Sequence, residues 1–168
     1  MDLAIDLAID LTMGLKNKII LITGATSGIG RAVAYQAGKM GAHLILLARR
    51  EEKLESLKKE LIDNFGVKIF LIKADVRDRE LIKTSLKNLP EDFKNISILI
   101  NNAGLGLTSD AIQKGELENW DVMIDTNIKG LLNITHAVLP GLLERKAGHI
   151  VNIGSVAGHE CYPGGNIY

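Results

Sequence analysis

Residues 23–30 read Thr23-Gly24-Ala25-Thr26-Ser27-Gly28-Ile29-Gly30, with glycines at 24, 28 and 30. The short apolar run Ile19-Ile20-Leu21-Ile22 precedes this stretch. After it, Ile29, Ala32, Val33, Ala37 and Met40 recur at helical spacing, and Gly41 is placed to close the helix. A glycine-rich turn between a strand and a helix lets backbone approach a pyrophosphate, whose charge the free amides of the helix N-terminus hold. The spacing is G-x-x-x-G-x-G rather than the common G-x-G-x-x-G. No Gly-Lys-Ser/Thr follows, as the phosphate loop of a nucleoside triphosphatase requires. By itself the turn is also compatible with a tight bend that binds nothing.

Outward from this unit, strand and helix signals alternate. Leu44–Leu47, Ile69–Ile72, Ile96–Ile100 and His149–Ile153 read as four further strands. Helices are expected over Glu51 to about Phe65, over Asp78 to Leu89 with Pro90 as the stop, and over Leu117 to Arg145, with Pro140 a kink or break. The strands are continuously apolar, the pattern of strands buried on both faces of a parallel sheet. The expected fold is therefore α/β: a doubly wound parallel sheet, Rossmann-like, with five strands present. Residues 18–168 form that one domain. Residues 1–17 form an N-terminal tail in which Asp-Leu-Ala-Ile occurs twice in succession. The acidic start of this tail excludes a signal peptide, and Met13 is an alternative start.

The chain has 168 residues, enough for one domain with a core. Twenty basic residues balance twenty acidic ones, so no net field attracts nucleic acid or an anionic membrane, and neither partner is expected. No apolar run is long enough to span a bilayer. The single Cys161 excludes an internal disulfide, which fits a reducing, cytoplasmic location. His43, His136, His149 and His159 are scattered, so no metal site is expected.

The second strand ends Ala48-Arg49-Arg50. A site for NAD places an acid there to bond the ribose 2′-hydroxyl, whereas arginine matches a 2′-phosphate with its planar fork. NADP is therefore expected over NAD. The competing reading pairs both arginines with Glu51 and Glu52. Asn127 lies on an expected helical stripe of Trp120, Met123, Ile124, Ile128, Leu131 and Val138, and a buried amide there needs partners.

Taken together, TGATSGIG, Asp75-Val76 after the third strand, Asn101-Asn102-Ala103-Gly104 after the fourth and Ser155 after the fifth resemble the short-chain dehydrogenase/reductase family over about residues 18–168. The stretches DTNIKG, VLPGLLER and GGNIY look like its NADP-dependent 3-hydroxy acid dehydrogenase subgroup, which acts on serine, allo-threonine and related acids. The resemblance implies an oxidoreductase acting on a small alcohol or ketone, in a homo-oligomer. It implies that Gly24, Thr26, Ser27, Gly28, Ile29 and Gly30 line the pyrophosphate, and that Arg49 and Arg50 hold the 2′-phosphate. Asp75 and Val76 would flank adenine, and Asn102, Ala103 and Gly104 would border the nicotinamide ribose. It further implies a catalytic set: Ser155 bonding the substrate oxygen, Tyr168 exchanging its proton, and Asn127 supporting a proton-relay water. Tyr162, which precedes Pro163, would be a pocket wall. The family's lysine falls four residues beyond Tyr168. On this resemblance the sequence is expected to be a C-terminally truncated, inactive copy, with an NADP-binding module or a fragment completed by a partner chain as alternatives.

Overall fold

A computed structural model describes residues 14–107, 110–160, 162–165 and 167–168. The expectations for residues 1–12, Met13 and Cys161 lie outside these described residues. Five strands form one parallel sheet: β1 (Ile19–Thr23), β2 (His43–Ala48), β3 (Ile69–Lys73), β4 (Ile96–Asn101) and β5 (His149–Asn152), in the order β3-β2-β1-β4-β5. The order reverses at β1, whose neighbours are β2 and β4. In such sheets a crevice opens beyond the carboxyl ends of the strands at this switch point.

Alternate side chains of the strands feed two cores. Ile20, Ile22, Leu44 and Leu46 pack with α1 (Gly28–Lys39) and α2 (Glu51–Phe65) on one face. Leu21, Ile45, Leu47 and Ile72 pack with α3 (Arg79–Lys87) and α5 (Leu131–Glu144) on the other. With both faces covered, every residue of β1 is buried, which is why the run carries no polar alternation.

Three helices differ from expectation. In α1 the buried face is Gly30, Ala34, Ala37 and Gly38 rather than the larger apolar residues, because small side chains let the helix lie close on the sheet. Ile29 is 59% exposed, and Ala32 is exposed as well. Helix α3 is shorter than expected: Asp78 caps it, its Oδ1 accepting from the Leu81 amide at 2.9 Å, and it ends at Lys87 with Asn88 as its C-cap, before Pro90. The long helix expected over 117–145 is divided. Between α4 (Leu117–Ile124) and α5, residues Asp125–Gly130 form a widened, π-helical turn. The inserted residue rotates α5 relative to α4 by about 100°. The expected single stripe is therefore split: Met123 and Val138 are buried, and Ile128 is 56% exposed. Pro140 lies on the exposed side of α5 and does not end it.

Candidate cofactor-binding cleft

Thr23, the last residue of β1, is buried among apolar neighbours, and its hydroxyl joins two strands. Its Oγ1 donates to the Ile100 carbonyl at 3.4 Å and accepts from the amides of Asn102 and Ala103, both at 2.9 Å. The Asn102 side chain returns the tie, its Nδ2 donating to the carbonyls of Thr23 at 2.9 Å and Gly24 at 3.3 Å. The ends of β1 and β4 are thereby clamped together beneath the glycine loop. Gly24 has φ +64°, and an added Cβ would lie 3.0 Å from the Ala103 backbone. Gly30 admits no side chain either: a Cβ there would meet the Asn102 amide nitrogen and sit 2.5 Å from the Gly24 carbonyl oxygen.

Above this clamp lies a cleft of about 480 Å³, within the range of small-ligand sites. Its floor is Gly24, Thr26, Ser27, Gly28 and Ile29. One wall is Arg49, Arg50, Asp75 and Val76, and the other is Asn102, Ala103, Gly104 and Leu105. Thr126, Ile153, Gly154 and Tyr168 also reach it.

The cleft is positive at its β2 end. Arg50 Nη2 donates to Thr26 Oγ1 at 3.1 Å and to Ser27 Oγ at 3.3 Å, so the guanidinium lies over the loop. Arg49 is largely exposed and only 3.9 Å from Asp75. Glu51 pairs with Lys73 at 2.6 Å instead of with either arginine. Arg77 binds Asp75 through two nitrogens, Nε to Oδ1 at 3.1 Å and Nη2 to Oδ2 at 2.7 Å, and its amide adds a third bond to Oδ1 at 3.0 Å. The Arg77 hydrogen bonds hold the Asp75 carboxyl below the usual carboxylate range, against a partial burial that pushes it up.

The structure gathers most of the sequence-derived site residues and separates others. Gly30 packs under the loop and is not in the cleft lining, because its place is taken up by contact with Gly24 and Asn102. Asn127 stands behind the wall: its Oδ1 accepts from the Leu105 amide at 2.9 Å, and its Nδ2 donates to the Leu105 carbonyl at 2.8 Å. Tyr168 lines the cleft, its ring packed on Gly106. Ser155 does not line it. Gly154 does, and Ser155 Oγ accepts from the Ala157 amide at 3.2 Å, capping a short 3₁₀ turn. Tyr162 is likewise absent from the lining. It opens a turn closed by the Gly165 amide bonding its carbonyl at 3.1 Å, and its ring lies over Gly165. Thr23, Arg77, Leu105 and Thr126 were not identified from sequence. Only Thr23 carried a signal, as the one hydroxyl closing an otherwise aliphatic strand.

The short chain dehydrogenase family matches residues 18–168. The chain belongs to this family. An NADP-dependent 3-hydroxy acid dehydrogenase of Escherichia coli K12 is 47% identical over 150 residues, covering 89% of this chain and 59% of the relative. Sulfoacetaldehyde reductase 2 of Chromohalobacter salexigens is 50% identical over 151 residues, with the same coverages. Among solved structures, the closed form of serine dehydrogenase complexed with NADP+ superposes with a TM-score of 0.85 at 47% identity, covering 89% of this chain and 59% of that one. This short-chain dehydrogenase sequence thus spans about three fifths of the length of the curated relatives it matches. Among its described residues no helix is long and apolar enough to cross a membrane.

Proposed function

We propose that these 168 residues are the dinucleotide-binding part of an NADP-dependent oxidoreductase that interconverts a small 3-hydroxy acid and its carbonyl counterpart. The observation that carries this reading is the Arg50 guanidinium held on Thr26 and Ser27, with Arg49 exposed beside it and, among the described residues, no acid paired to Arg50. That arrangement suits a 2′-phosphate, which takes charge-assisted bonds from guanidinium and hydroxyl donors together. The residues fit the rest of the cofactor. The amides opening α1 face a pyrophosphate-sized space that glycines keep open. Asp75 and Val76 wall the adenine end, and Asn102, Ala103 and Gly104 wall the opposite side.

When bound, the dinucleotide supplies or takes up the hydride. The chain's own residues handle the proton and the orientation. The Tyr168 phenol, in the cleft lining, exchanges a proton with the substrate oxygen. Ser155 lies just outside the lining, next to Gly154 at its edge; its Oγ accepts from Ala157 and keeps its hydrogen, so it donates to that same oxygen once its side chain turns into the cleft. Asn127, whose side-chain amide is fixed by both backbone groups of Leu105, supports a proton-relay water behind the cleft wall. The apolar side chains of Ile128, Leu139 and Leu143, exposed along the Asp125–Gly130 turn and α5, support self-association of the whole protein.

Titrating the chain with NADPH and NADH, followed by nicotinamide fluorescence, tests the cofactor reading. NADPH is expected to bind at least tenfold more tightly, and Arg49→Ala with Arg50→Ala to abolish the difference. Equal affinities would overturn it. In the protein that carries this chain, NADP+ reduction with a 3-hydroxy acid should fall about 10²–10⁴-fold in Tyr168→Phe. Undiminished turnover in that variant would remove Tyr168 from the chemistry.

A further inference from the structure

Among the described residues Asp75 is the one acidic side chain in the cleft lining, and two guanidinium groups compete for it. Arg49, on one side, belongs to the lining and is largely exposed. Arg77, on the other, does not line the cleft. It nevertheless holds the carboxylate: Nε donates to Oδ1 at 3.1 Å, Nη2 to Oδ2 at 2.7 Å, and the Arg77 amide to Oδ1 at 3.0 Å. Arg49 Nη1 stops 3.9 Å from Oδ2, beyond hydrogen-bond distance.

The loop between β3 and α3 is built to keep this outcome. The bond from the Arg77 amide to the Asp75 side chain closes an Asx turn. The Asp78 amide donates to the Asp75 carbonyl at 3.0 Å, and Asn133 Nδ2 ties down the Val76 carbonyl at 3.0 Å. The consequence falls on Arg49. A guanidinium fork takes a carboxylate as readily as a phosphate. Without Arg77, the Asp75 carboxylate would need to close only about 1 Å to bond Arg49. It would then occupy donors that an incoming anion requires and set its own charge against that anion.

We propose that Arg77 is a positioning residue for cofactor specificity: by holding Asp75 in a two-nitrogen pair it keeps Arg49 unengaged and offsets the one acidic charge of the cleft, so that a 2′-phosphate is received there. This inference rests on the dinucleotide reading above. It assigns to a residue outside the cleft an effect on NADPH that NADH does not share.

The readout is the ratio of the NADH to the NADPH dissociation constant, from nicotinamide fluorescence titrations of the chain and of Arg77→Gln, Asp75→Asn and the two combined. Arg77→Gln should weaken NADPH about fivefold or more and change NADH less than about twofold, because only the phosphate-bearing dinucleotide must take Arg49 from Asp75. Whatever Asp75→Asn does at the adenine end it does to both dinucleotides, so that variant should keep the ratio at or above the parent's. The combined variant should return the ratio to within about twofold of Asp75→Asn alone, since an asparagine brings no charge to Arg49. An Arg77 that merely supports the loop would weaken both dinucleotides alike, and that result overturns the proposal. So does an unchanged ratio in Arg77→Gln. So does an equal loss whether residue 75 is aspartate or asparagine, which would make Arg77 a direct contributor to the field at the phosphate. A parent ratio near one would overturn the cofactor reading and this inference with it. A parent that prefers NADPH, with a ratio insensitive to Arg77→Gln, overturns this inference alone. Retained NADH binding shows that each variant folds.

Discussion

Gly30 carries more of the site's geometry than its position behind the cleft suggests. It separates the glycine loop from Asn102 by less than the width of a methyl group. In Gly30→Ala the new Cβ meets backbone at Gly24, which cannot rotate away as a side chain would. Overpacking of this kind costs about 1–3 kcal/mol. The variant should show that loss in urea melts, together with weakened dinucleotide binding, and an unchanged midpoint would disprove the close fit. Asp75 allows a second test at this scale. Its folded carboxyl ionises below the unfolded value of about 3.9, chiefly because of the Arg77 hydrogen bonds. As pH falls, the unfolded chain takes up this proton first. The stabilisation is therefore complete above about pH 4 and disappears as pH falls through the lower, folded value. Arg77→Gln removes the main cause, so its stability should decline less steeply than that of the parent over about pH 2–5. Urea midpoints across that range decide the matter, and parallel curves would mean that Arg77 does not set the ionisation. Neither Arg77 nor Thr23 was legible as a site residue. Thr23, marked only as the one hydroxyl closing an aliphatic strand, acts through partners 77 to 80 residues away, which no local pattern reports; Arg77 bonds Asp75 two residues away, but only through a turn whose shape the two side chains do not announce. The glycines and Arg49-Arg50 were legible because backbone curvature and uncompensated charge are local properties.

The wide turn at Asp125–Gly130 marks where periodicity stops being informative. Apolar residues recur through it at nearly helical spacing, and nothing in their order calls for an extra residue in the turn. Asn127 lies in this turn and bonds both backbone groups of Leu105, on the cleft wall. The contact couples the helical segment to the loop after β4, and it is long-range and therefore invisible to local reading. Asn127→Ala leaves both the amide and the carbonyl of Leu105 without these partners. At about 1–3 kcal/mol for a part-buried group left unpaired, the variant should be clearly destabilised. The Leu105 amide should also exchange its hydrogen much faster. Asn127→Asp keeps the acceptor and loses the donor, so it should protect the Leu105 amide while still lowering the melting temperature. Equal exchange at Leu105 in all three proteins would show that the wall stands without this tie. The strands were legible for the converse reason: burial on both faces selects continuous aliphatic runs, and β1 and β2 are buried almost throughout.

At the scale of the molecule, the cleft is where separate parts of the chain meet. Its lining comes from the ends of β1 and β2, the loops after β3, β4 and β5, the turn at Asp125–Gly130, and Tyr168. A ligand spanning it contacts both sides of the switch point and binds only the folded state, since the unfolded chain does not assemble these walls. At a free concentration of 100 times Kd, such a ligand stabilises by about 2.7 kcal/mol. For a domain of this size each kcal/mol raises the melting temperature by roughly 2–4 °C, so saturating NADPH should raise it by roughly 5–10 °C. At equal concentration NADH lacks the 2′-phosphate that we propose Arg49 and Arg50 receive, and its shift should be smaller by the difference in RT ln(1 + [L]/Kd). In Arg50→Ala the two shifts should converge, because the guanidinium resting on Thr26 and Ser27 is gone while the glycine floor remains. Convergence in this variant combined with divergence in the parent assigns the discrimination to the β2 end of the cleft. Equal shifts in the parent protein would place the 2′-phosphate elsewhere and leave the two arginines as surface charges.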